Sequence, residues 1–170
     1  MSKRLLILGL LTLTLTLLIS AGPVLAAWGA KEMDAEKGAV TFHREVERGG
    51  YKIVSTTELK GWLDQKKDML IVDTMPYEDS YKKQHIPGAV QIEFPIPEMT
   101  QLDEKKKADL EKLLGPNKDR LIVFYCGFTK CTRSHNSAMW AVKLGYKNVY
   151  RCPGGIKAWE EADYPIEKAK

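Results

Sequence analysis

Residues 121–125, Leu-Ile-Val-Phe-Tyr, form an unbroken run of aliphatic and aromatic side chains behind Arg120. A strand with one wet face alternates apolar and polar residues, so a run without alternation predicts a strand buried on both faces. Beyond the loop that follows, SHNSAMWAVKLG changes period. Ala138, Ala141, Val142 and Leu144 recur at helical spacing and Gly145 provides a stop. The same switching recurs along the chain. Strands are predicted at 51–54, 69–73, 90–94, 120–125 and 149–151, and helices at 35–48, from Ser55, at 102–114, from Ser134 and at 156–162. Ser55 and Glu58 have capping-box spacing, with Leu59, Trp62 and Leu63 as the apolar face behind them. Strands alternating with helices imply an α/β domain: a central parallel five-stranded sheet, right-handed crossovers and helices on both faces.

Ligands in such sheets bind beyond the carboxyl ends of the strands, where Asp73, Cys126 and Cys152 fall. Cys126 ends the apolar run and opens the loop Gly127, Phe128, Thr129, Lys130, Cys131, Thr132, Arg133, which closes as a helix begins. Loop N–H groups, a helix N-terminus and the cations Lys130 and Arg133 all favour an anion there, which predicts an activated Cys126 thiolate. Cys126, at the head of that cradle, is expected to be the more acidic thiol. Arg133, at the helix start, is expected to hold an anionic substrate. Cys131 is either a redox partner that forms a disulfide with Cys126 or a loop thiol without a role. Cys152 reads as a small apolar filler, His135 as an exposed helix residue, His43 as a surface residue, and Trp140 and Trp159 as core. The three cysteines contain no Cys-x2-Cys pair, so no metal is expected.

The amino terminus has a separate logic. Lys3-Arg4, an apolar stretch over residues 5–19 and Val24-Leu25-Ala26 have the layout of a secretory signal peptide ending at residue 26. The apolar stretch is short for a spanning helix, so no stable membrane insertion is expected after cleavage, and export, most simply to a periplasm, follows. Residues 27–50 read as a lead-in with a helix, and 51–170 as the domain. Loss of the leader removes two cations and no acid, so the formal charge falls from +4 to +2. That charge is too small, and too scattered, to support nucleic-acid binding. An odd cysteine count in an oxidising compartment leaves a thiol unpaired, which suits a reactive cysteine.

Several pieces together resemble one family. Leu70-Ile71-Val72-Asp73, His85-Ile86-Pro87-Gly88-Ala89, Cys126 at the head of its loop, Leu144-Gly145-Tyr146, Gly154-Gly155-Ile156-Lys157-Ala158-Trp159 and Tyr164-Pro165 occur in the order seen in rhodanese-like sulfurtransferase domains. The resemblance implies a single-domain exported sulfurtransferase. Cys126 would take a sulfane sulfur from thiosulfate or a polysulfide-type donor as a persulfide and pass it to a thiol, cyanide, sulfite or a protein acceptor, with no cofactor. Asp73 and His85 would be structural, His85 ordering its loop by hydrogen bonding. A non-catalytic sulfur carrier, and a phosphatase or arsenate-reductase-like enzyme, remain as alternatives. Two departures stand out. The spacing is Cys-x6-Arg, where the family has Cys-x4-Arg and the related phosphatases have Cys-x5-Arg, and Met75 occupies the place of an arginine after the strand aspartate.

Overall fold

The computed structural model describes residues 31–169; the predicted leader lies outside the described residues. In chain order they form α1 (Glu32–Gly49), β1 (Lys52–Ile53), α2 (Thr56–Asp64), β2 (Leu70–Asp73), a π-helical turn (Tyr77–Tyr81), β3 (Val90–Gln91), α3 (Glu104–Leu114), β4 (Leu121–Tyr125), α4 (Arg133–Lys143), β5 (Asn148–Cys152) and α5 (Gly155–Glu161). The five strands are all parallel in the order β1-β5-β4-β2-β3, the α/β arrangement expected from the alternation.

Both-face burial of β4 is literal. Ile122 and Phe124 enter one core with Leu110 and Leu114 of α3 and Ala138 and Ala141 of α4, while Val123 and Tyr125 enter another with Leu59 of α2 and Ile156 and Trp159 of α5. Each large apolar side chain so enclosed stabilises the fold by about 1.5–3 kcal/mol, which makes β4 the anchor of the sheet. Val46 of α1 packs against the first core. The capping box also forms, with Ser55 N–H donating to Glu58 (2.9 Å) and Glu58 N–H to Ser55 Oγ (3.2 Å).

The two edge strands are shorter than predicted. β1 keeps two residues of 51–54 and β3 two of 90–94. Ile92 and Phe94 still donate to the Asp73 and Thr74 carbonyls (3.0 and 3.2 Å), but Pro95 and Pro97 have no N–H with which to continue. In the centre, Asp73, Tyr125 and Cys152 end in register on adjacent strands, so the chain leaves the sheet at Thr74 and Cys126 side by side.

Candidate active site

Cys126 emerges between two backbone clamps. Thr74 donates to the Tyr125 carbonyl through its N–H (3.0 Å) and its hydroxyl (2.8 Å), and the first turn of α5 takes the next two carbonyls, Ile156 N–H to Cys126 (2.9 Å) and Lys157 N–H to Gly127 (3.0 Å). Gly155 makes that approach feasible. It has φ +59°, and a Cβ there would lie 2.8 Å from the Cys126 carbonyl carbon and 2.9 Å from that of Gly127.

The Cys126 side chain is buried, with Sγ 3.1 Å from the Cys131 carbonyl oxygen and 3.1 Å from Ser134 Oγ. Behind them stands Arg151 of β5, fully enclosed at 0% exposure. Its guanidinium donates to Ser134 Oγ (3.0 Å), the Cys131 carbonyl (3.0 Å), the Thr129 carbonyl (3.2 Å), Tyr51 Oη (3.1 Å) and Glu45 Oε2 (2.6 Å). Burial opposes its charge, but Tyr51 and Glu45 more than offset that and hold it firmly protonated. Arg151 therefore ties α1, the reactive loop and the start of α4 to one cation. Because its Nε–H occupies Ser134 Oγ as acceptor, the Ser134 hydroxyl proton is free to point at Cys126 Sγ.

The two loop thiols divide in the opposite sense from that expected. Burial pushes Cys126 well above the ordinary thiol value, the neighbouring Cys131 thiol pushes it the same way, and Sγ donates to the Cys131 carbonyl (3.1 Å). Cys131 is drawn down to about 6, first by the hydrogen bond from Cys126 and then by the Arg133 and Gly127 N–H groups and the Arg133 charge, against the effect of burial. The expectation that Cys126 would be the acidic thiol is thus reversed, because the cradle converges on the loop's second sulfur. The two thiols are unlinked.

Other expected residues sit as follows. Gly127 is buried against Met75, its Cβ position 3.6 Å from Met75 Cε, so the methionine packs where a cation was expected. Phe128, Thr129 and Lys130 are exposed. Thr132 donates to the Ile96 carbonyl, and Arg133 turns away from the loop to donate to the Phe94 carbonyl and, at 3.3 Å, to Glu93. Arg133 therefore meets β3's exit instead of closing a ring over Cys126, a result of the longer loop carrying it past that position. His135 is fully buried, correcting its exposed placement: Nδ1 pairs with Tyr51 Oη at 2.8 Å and Nε2 lies 3.5 Å from Glu98. Burial lowers its affinity for a proton despite the neighbouring Glu45 and Glu98. Asp73 is fully buried, with Oδ1 accepting from Met75 N–H (2.8 Å) and Oδ2 without a partner; burial raises it to about 6. His85 orders its loop, Nδ1 pairing with the Tyr81 carbonyl (2.8 Å) and its backbone bridging Glu167. Cys152 fills the second core, 3.8 Å from Thr56 Oγ1. Among the described residues no three His, Cys, Asp or Glu side chains gather as a metal site.

Arg151, Glu45, Tyr51 and Ser134 were not singled out from the sequence. The available signal was the arginine itself: a charge at the end of a strand buried among parallel neighbours requires a partner. Beside the loop, a groove of about 490 Å³ runs between α1 and the loop, lined among others by Lys37, Thr41, Phe42, Thr129, Lys130 and Thr132.

Comparison with known proteins gives this geometry a context. The Rhodanese-like domain family profile matches residues 55–162. A thiosulfate sulfurtransferase GlpE of Coxiella burnetii is 33% identical over 121 residues, covering 70% of this chain and 95% of the relative. Among solved structures, a thiosulfate sulfurtransferase of Pseudomonas aeruginosa superimposes with TM-score 0.58 at 20% identity, over 78% of this chain and 23% of its own. A rhodanese-like domain from Anabaena does so with TM-score 0.51 at 24% identity, over 68% and 78%. These two structures share the fold. α1 lies outside the matched family segment.

Proposed function

The chain belongs to the rhodanese-like domain family, and from that membership and the Cys126–Ser134–Arg151 contacts we propose that it is a sulfurtransferase working through a Cys126 persulfide. The observation that carries the reading is the relay itself. Arg151 Nε–H donates to Ser134 Oγ, whose own proton is then directed to Cys126 Sγ, 3.1 Å away. A positive charge delivered through a hydroxyl stabilises an anionic sulfur on Cys126 once its proton has left.

Cys126, once it has lost its proton, attacks the outer sulfur of thiosulfate; the S–S bond breaks, sulfite leaves with the electron pair, and the persulfide stays on the loop. Cyanide, sulfite or a thiol, free or on a protein, then removes that sulfur. Lys37 and Lys130 lie on the groove walls together with Asp34, while Glu45 there is paired with Arg151. The leader composition of residues 1–26 supports an exported, periplasmic setting. The phosphatase-like alternative loses support from Arg133, which is engaged with Phe94 and Glu93 and so is not free for a phosphoryl group. Thiocyanate formation from thiosulfate and cyanide is the test. Turnover is expected in the wild type and its loss in Cys126→Ser. Sulfur bound to Cys126 without turnover would leave a carrier, and turnover surviving in Cys126→Ser would refute the assignment.

A further inference from the structure

Building on the persulfide reading, we infer that Cys131 resolves the Cys126 persulfide, so that without an external acceptor the protein itself reduces sulfane sulfur to hydrosulfide. The two thiols share one enclosed space: both side chains are buried in the same loop, and Cys126 Sγ lies 3.1 Å from the Cys131 carbonyl oxygen. The Arg133 and Gly127 N–H groups and the Arg133 charge favour the anionic, nucleophilic form of Cys131, drawn down to about 6. Cys152 does not compete, since it is buried in the other core beside Thr56. A disulfide across five residues closes a short ring, so geometry rather than chain entropy decides whether it forms. A thiolate tethered this closely acts at an effective concentration of roughly millimolar or above, and so outcompetes dilute external thiols.

The step balances. The Cys131 thiolate attacks Sγ of Cys126–S–SH, forming the Cys126–Cys131 disulfide and breaking the persulfide S–S bond. HS⁻ leaves with the bonding pair. Over both steps, one thiosulfate and two protein thiols give one sulfite, one HS⁻, one disulfide and one proton. The sulfane sulfur is reduced and the two thiols are oxidised. An external dithiol must reduce the disulfide before another turn.

The experiment is a single turnover: fully reduced protein, stoichiometric thiosulfate, no acceptor and no oxygen, with trapped sulfide and intact mass read together. The wild type is expected to release one sulfide per chain and to become two hydrogens lighter, with Cys126 and Cys131 linked in the peptide map. Cys131→Ser and Cys131→Ala are expected to release none and to keep one extra sulfur on Cys126, recoverable as thiocyanate on adding cyanide. A wild type that holds the extra sulfur and releases no sulfide overturns the resolving role and leaves the persulfide reading intact. Equal sulfide release from the Cys131 variants also overturns it. No sulfur gain and no sulfide in any chain overturns both readings.

Discussion

Replacing Arg151 by methionine isolates the contact on which the reactive loop rests. The five acceptors do not suffer equally. Tyr51 Oη keeps its bond to His135 (2.8 Å), Ser134 Oγ and the Cys131 carbonyl both keep Cys126 Sγ (3.1 Å each), and Thr129 is exposed, so water can replace the guanidinium there. Glu45 loses its 2.6 Å partner at 7% exposure, and that stranded carboxylate dominates the loss. Leaving one member of a buried pair uncompensated costs about 3–5 kcal/mol, against about 1 kcal/mol for an ordinary hydrogen bond. Arg151→Met should therefore lose about 3–5 kcal/mol and Glu45→Leu a similar amount, whereas the double variant should lose only about 0–2 kcal/mol, because an apolar pair restores compensation. Urea unfolding followed by tryptophan fluorescence measures all three. Sulfur loading separates fold from site: the double variant should recover stability and still load poorly, because its loop carbonyls and Ser134 lack the cation. A double variant as unstable as the two losses added together would refute the pairing argument. Wild-type loading in that variant would refute the role given to Arg151.

Its surroundings draw Cys131 down to about 6, so its alkylation by iodoacetamide should rise through that pH and precede modification of Cys126, as a timed peptide map would show; Cys126 labelling first would reverse the assignment. Asp73 has a folded value raised to about 6, so the native state holds its proton longer and stability falls as pH rises through the window from the ordinary 3.8 to about 6. Relative to wild type, Asp73→Asn should gain about 3 kcal/mol between about pH 4 and about pH 7, and a pH-independent difference would refute the shift. Gly155→Ala meets backbone at 2.8 and 2.9 Å with φ +59° and should cost about 2–5 kcal/mol, whereas Gly88→Ala, with φ +73° and open space, should cost about 1–2 kcal/mol; equal melting temperatures would contradict this.

The α/β sheet was legible in the chain because its signals are local: an apolar run through Leu121–Tyr125 means burial on both faces wherever it occurs, and the helical periods and caps beside it each report on a few neighbouring residues. Cys126 at the strand's end, the loop through Arg133 and the loop-ordering pattern at His85 were readable for the same reason. The sequence alone also placed α1 near its observed bounds, but not what α1 does. The Glu45–Arg151 pair spans 106 residues, and neither period nor composition reports a distance between side chains so far apart. His135 was misplaced because helical spacing identifies a helix's apolar stripe but not whether α1 and the 95–99 segment cover the opposite side. The balance between Cys126 and Cys131 turned on which N–H groups, carbonyls and cations converge on each sulfur. Acidity depends on burial and on charges within a few ångströms, and those are set only when the loop, α4 and β5 pack together.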